Sequence, residues 1–269
     1  MVKKLYKHEF IAWLRVLPLV SLITLAVSGI HRLVQLLETD TVYYDILNAS
    51  GLIVFFVAIF ACLLFPVIFG IVRFYRNFFT GEGYLTFTLP VTQKAHLWVK
   101  VSTAVCFSIV SGLVCLLSGM LITAGEVFSE VIKAVQYLLR QLPGDLYSQL
   151  PWYILEYLAP LLVGQFYGYL MYGTCICVGQ QFRKNRILAA VGVYFGIYII
   201  SQVVSTVCSV AFMILSETGA LQPLYTFIET QTATAIHIGL CALIVLSGLL
   251  ALVFWLISHS ILRRRLNLE

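Results

Sequence analysis

A chain of 269 residues with 61% apolar and only 11% charged side chains has too little polar surface to cover a water-facing globule, for which about 25% charge is usual. Its net charge of +5 lies in short clusters between long apolar runs, a membrane-topology pattern that excludes a nucleic-acid-binding surface. All seven cysteines, Cys62, Cys106, Cys115, Cys175, Cys177, Cys208 and Cys241, fall inside apolar runs, a setting that suits neither a disulfide framework nor a zinc site.

At helical spacing the opening residues place Tyr6, Phe10, Trp13 and Leu14 on one face, with Lys4, His8 and Arg15 opposite. This predicts either an amphipathic helix lying at the inner membrane interface or simply the start of the first span. Crossing the hydrocarbon core takes about 20 mostly apolar residues, and the first run that qualifies is 16–36. Its alternative reading is a cleaved leader, with Ala26 and Ser28 as the small residues of a cleavage site. The fifteen residues before it, Glu9 among them, are long for that purpose.

The second run is 51–72 and the third 101–124. Between them lies the most informative stretch, 73–100, reading RFYRNFFTGEGYLTFTLPVTQKAHLWVK. A tether needs a few polar residues. This segment instead carries aromatic residues and leucines from Phe74 to Leu89, broken by Gly81 and Gly83 and followed by Pro90, and such side chains need the headgroup region or a partner to bury them.

After the third run, Phe128, Val131, Ile132, Val135, Leu138, Leu139 and Leu142 share a face opposite Glu130, Lys133 and Arg140. The segment 125–151 is therefore expected to hold an extracellular amphipathic helix, ended by Pro143-Gly144, that caps the bundle or lines a mouth. The fourth run is 152–178, where Cys175 and Cys177 point to different helix faces and read as small packing residues. The fifth is 187–215. In the outer segment 216–235, Leu221, Leu224, Tyr225 and Phe227 predict a short helix dipping into the interface, and the sixth run is 236–258. Gly164-x-x-x-Gly168 and Gly192-x-x-x-Gly196, with Gly112 and Gly119, have the small side chains that let helices approach, within the bundle or at a subunit interface.

With the N-terminus inside, fourteen of the seventeen Lys and Arg residues fall in cytoplasmic segments and only Arg32, Lys133 and Arg140 outside. The positive-inside rule then places both termini in the cytoplasm. The expected fold is an all-α integral membrane bundle, one transmembrane domain over 1–269 with about six spans.

The chain contains no G-x-x-x-x-G-K-[ST] loop and no H-E-x-x-H, and it shows no paired polar residues at one depth for an intramembrane enzyme. Glu156 is the one acid clearly inside a span, near its outer edge, and His31 and His237 read as interfacial polar residues at outer span ends. An ion-coupled carrier usually buries several ionisable groups along its path. An active transporter with neither feature takes its energy from another subunit.

The loop Phe78-Phe79-Thr80-Gly81-Glu82-Gly83-Tyr84-Leu85-Thr86-Phe87-Thr88-Leu89-Pro90-Val91-Thr92 resembles the hallmark of ABC-2-type permease subunits of Gram-positive, clostridia-like bacteria. The opening Lys3-Lys4-Leu5-Tyr6-Lys7-His8-Glu9-Phe10, followed by Arg15 and Pro18, resembles that group's N-terminus. The resemblance implies an exporter half in the bacterial plasma membrane, paired with a second permease subunit as homodimer or heterodimer. Two separate cytoplasmic ATPase subunits would bind the ATP, so this chain would hold no cofactor and catalyse nothing itself. It further implies that the loop between spans two and three docks on the ATPase through Phe78, Phe79, Gly81, Glu82, Gly83, Tyr84, Leu85, Phe87, Leu89 and Pro90, with Glu82 the candidate polar contact. The long outer helix departs from the family's usual pattern. The alternative is a membrane scaffold or sensor that binds a cytoplasmic partner through the same loop and moves no substrate.

Overall fold

Hydrocarbon offers no water to stray N–H and C=O groups, so a chain this apolar has to close its backbone hydrogen bonds within each segment, as helices do. The computed structural model describes residues 2–37, 41–81, 83, 88, 90–124, 126–141, 144–182 and 184–264, and every regular element among them is α-helical. Six stretches are long and apolar enough to cross a membrane: Val2–Leu36, Val42–Phe79, Gln93–Thr123, Leu146–Gly179, Arg186–Glu217 and Thr232–Arg263.

The first stretch is two helices, α1 (Val2–Leu14) and α2 (Leu17–Leu36), with Arg15 and Val16 forming the turn between them. Pro18 sits in the first turn of α2, where its missing N–H has no helical partner to lose. Next come α3 (Val42–Phe79), α4 (Gln93–Thr123) and α5 (Glu126–Gln141). They are followed by α6 (Gly144–Gly179), α7 (Arg186–Glu217), α8 (Gln222–Thr230) and α9 (Thr232–Arg264). Most helices run past the apolar stretches that predict them. The 38 residues of α3 make a rod of about 57 Å, longer than the ~30 Å hydrocarbon core. Hydropathy marks only the part that lipid would cover, whereas backbone hydrogen bonding continues until something caps it.

The chain divides into two compact units, one of Met1–Phe78 with Glu82–Gln141 and one of Phe79–Gly81 with Leu142–Glu269. In the first, α2 packs on α4, and its buried face is Leu17, Ser21, Thr24, Ser28 and His31, while Leu19, Leu22, Ile23, Ile30 and Leu33 are exposed. Buried Thr103, Ser111 and Ser118 continue the pattern on α4. A water-soluble helix shows the opposite order. Small hydroxylated side chains let helices approach in lipid, and two of them satisfy themselves on their own helix: Thr24 donates to the Val20 carbonyl (3.0 Å) and Ser28 to that of Leu25 (2.8 Å). His31 faces protein and not lipid or solvent. It is 2% exposed, and a Cβ at Gly51 on α3 would fall on its ring.

In the second unit α6 packs most extensively on α9, and α7 packs on α6. The α6–α9 seam carries a buried polar contact, with Thr174 Oγ1 2.8 Å from Ser258 Oγ and 2.9 Å from the Phe254 carbonyl. Not one residue of α7 is buried.

Two expectations are corrected. Gly112, Gly119, Gly164, Gly168, Gly192 and Gly196 meet nothing within 4 Å, so the small-x-x-x-small pairs do not mediate close packing inside the chain. Among the glycines described, close approach occurs at Gly51 and at Gly179, where a Cβ would lie 2.6 Å from both the Cβ and the backbone N of Ala190. On α5, Phe128, Val131, Ile132, Val135 and Leu138 are all exposed, so its apolar face does not cap the bundle. Such a face suits a lipid interface.

Candidate functional site at the roots of the 73–100 segment

The site begins with α1, whose aromatic face is buried in protein rather than laid against lipid. Trp13 is 1% exposed. Its ring stacks on Phe107 of α4 (5.1 Å between centroids, 3° between planes) and meets Phe69 of α3 edge-on at 4.7 Å. Phe10 lies 5.2 Å from the same Phe107, and Tyr6 Oη is 2.8 Å from Ser102 Oγ. Large rings gain most where other side chains surround them, and neighbours on two helices supply that here. Leu14, expected on this face, is 55% exposed.

On the same face, one turn before Trp13, lies Glu9, 5% exposed. Arg73 grips its carboxylate in two-pronged fashion, Nε to Oε1 at 3.0 Å and Nη2 to Oε2 at 2.8 Å, and Lys100 Nζ reaches Oε1 at 2.7 Å. Lys100 and Glu9 keep only 8% and 6% of their side-chain surface, while Arg73 keeps 24% and lies over the Phe69 ring at 5.8 Å. Charge-assisted, bidentate contacts of this kind are short and directional. One carboxylate thus serves two cations. Removing such groups from water costs several kcal/mol per ion, so the node fixes geometry more surely than it adds stability. Arg73 and Lys100 are the two ends of the loop singled out by sequence, and Glu9 ties both to α1.

Of the candidate docking residues, Phe78 (0% exposed) and Phe79 (1%) are buried, Phe78 4.8 Å from the Phe74 ring in T-shaped contact. Gly83 is buried, and Gly81 and Pro90 are exposed. Glu82, Tyr84, Leu85, Phe87 and Leu89 lie outside the described residues. Phe78 and Phe79 are thus enclosed by the chain, while Gly81 and Pro90 are open to solvent.

Sequence reasoning missed Glu9 as the organiser. The available signal was an acid in an otherwise basic segment, spaced by three and four residues from Tyr6 and Trp13 on the aromatic face.

A second polar cluster joins α6 to α9. His237 Nδ1 is 2.6 Å from Glu156 Oε2, and its Nε2 is 2.7 Å from Gln149 Oε1. Tyr153 stacks on the imidazole at 4.6 Å and donates to Gln149 Oε1 (3.2 Å) or to the Ala233 carbonyl (3.3 Å). Glu156 thus has a specific partner, and the cluster latches two helix ends. His237→Ala and Glu156→Gln should each cost about 0.5–2 kcal/mol of stability, and the double variant less than the sum. Unfolding midpoints of the four proteins in detergent test this, and strict additivity would remove the latch.

These features define a polytopic α-helical membrane protein whose described polar centre sits at the base of one connecting segment. No protein-family profile, curated protein or solved structure matches the chain.

Proposed function

We propose that this chain is the membrane-spanning permease subunit of an ATP-driven exporter of the ABC-2 type, in the bacterial plasma membrane with both termini in the cytoplasm. A separate cytoplasmic ATPase docks on the 73–100 segment, and a second permease subunit completes the translocator. The observation that carries the reading is the node at Glu9, because a segment that transmits force has to be rooted. Arg73 near the end of α3 and Lys100 near the start of α4 are held by one carboxylate on α1, so a pull on the segment reaches three helices together. Closure of the ATPase dimer on ATP would move the docked segment and shift these helices between packings. The loop sequence and the positive-inside charge distribution support the same reading.

Affinity purification in mild detergent, followed by identification of what accompanies the chain, tests it. An ATPase subunit is expected in stoichiometric amount and is expected to be lost on Glu82→Ala while the chain still purifies folded. Phe78 and Phe79 are poor probes, since replacing buried rings perturbs packing and docking at once. Recovery of the chain alone, with Glu82→Ala silent, would favour the scaffold or sensor.

A further inference from the structure

With its aromatic face consumed by α3 and α4, α1 turns a different face outward. Lys3, Lys4, Lys7 and Arg15 are exposed there, interleaved with Ile11 (37% exposed) and Leu14 (55%). The helix has one acid, Glu9, and it points the other way into the node. Among the described residues, none of the four cations has an ion-pair partner. Only Arg15 and Val16 separate α1 from α2, which enters the first apolar stretch at Leu17, so with that stretch in a bilayer the outward face would meet the headgroups. Cations at headgroup depth attract anionic lipid, and aliphatic side chains between them are covered by the upper acyl region.

We propose that the outward face of α1 binds anionic phospholipid headgroups. Because the same helix carries Glu9 to Arg73 and Lys100, lipid occupancy sets how firmly the roots of the 73–100 segment are held. The proposal rests on the membrane-spanning fold and not on the permease reading, so either can fail alone.

The test uses the purified full chain in neutral detergent, titrated with phosphatidylglycerol or phosphatidylcholine and read by native mass spectrometry. Phosphatidylglycerol is expected to bind with about ten-fold preference or more, and Lys3→Gln/Lys4→Gln/Lys7→Gln to abolish that preference. Lys133→Gln/Arg140→Gln, which removes two cations from α5, should leave it intact. Hydrogen exchange at residues 92–100 should slow on adding phosphatidylglycerol, and this slowing should vanish in Glu9→Gln, which still binds the lipid. Equal binding of the two lipids, or a preference that survives the triple lysine variant, would overturn the proposal. Equal competition by free glycerol 3-phosphate would also overturn it, by showing a phosphate site in place of a lipid-facing surface.

Discussion

Replacing Glu9 with alanine should destabilise the first unit by about 3–5 kcal/mol, because it removes the carboxylate that both Arg73 and the buried Lys100 ammonium bond to. Lys100 keeps only 8% of its side-chain surface and cannot simply turn to water, whereas Arg73, at 24%, can move outward. Glu9→Gln should be milder, since an amide oxygen still accepts one hydrogen bond. Adding Lys100→Met to Glu9→Ala should recover part of the loss by replacing a buried ammonium that has lost this carboxylate with apolar volume. Unfolding midpoints of the four proteins in one detergent decide the matter, with limited proteolysis between residues 80 and 92 as a local readout. A midpoint unchanged by Glu9→Ala would mean that the carboxylate is better solvated than its 5% exposure implies, and the node would lose its role as the segment's anchor.

Gly179→Ala is expected to be nearly as damaging, by about 1–3 kcal/mol, for a steric reason. The new methyl group would lie 2.6 Å from the Ala190 Cβ and backbone N and 2.7 Å from its Cα, and no flexible side chain is available to move aside. The start of α7 must shift away from the end of α6, against a turn already fixed by Asn185 at φ 53° and ψ 47°. Asparagine tolerates that left-handed conformation better than most residues. Gly168→Ala serves as the control, since nothing lies within 4 Å of its added methyl. On a helix it should be neutral or add about 1 kcal/mol through higher helix propensity. If both alanine variants unfold at the same temperature, the α6–α7 approach is looser than described.

The six membrane-length helices were legible because hydropathy is a local property that each run carries alone. The short helix α8 and the amphipathic α5 could be read for the same reason. The site was legible only in part. The importance of the 73–100 segment came from its unusual density of rings, but its anchoring depends on pairings 64 and 91 residues apart, which no local pattern encodes. The aromatic face of α1 illustrates the gap: a ring-rich face beside lysines suits a lipid interface and a protein interior equally well, and only the position of Phe69 and Phe107 decides between them. His31 was misread because a histidine near a span end has two destinations, and the missing side chain at Gly51 opens the buried one. The paired glycines do not mark packing within the chain, because their spacing records what a helix permits and not what its neighbours do.

The separation of the node's three members also sets a timetable for biosynthesis. A ribosome working at about 5–20 residues per second reaches Arg73 roughly 3–13 s after Glu9 and Lys100 roughly 5–18 s after it. Throughout that interval α1 lacks α4, whose Phe107 and Lys100 meet its rings and its carboxylate, so its aromatic face has no complete seat. Although α1 precedes α4 in the chain, it therefore docks only once α4 has been made. A nascent chain arrested before Lys100 should leave α1 open to protease, and one arrested well beyond it should not.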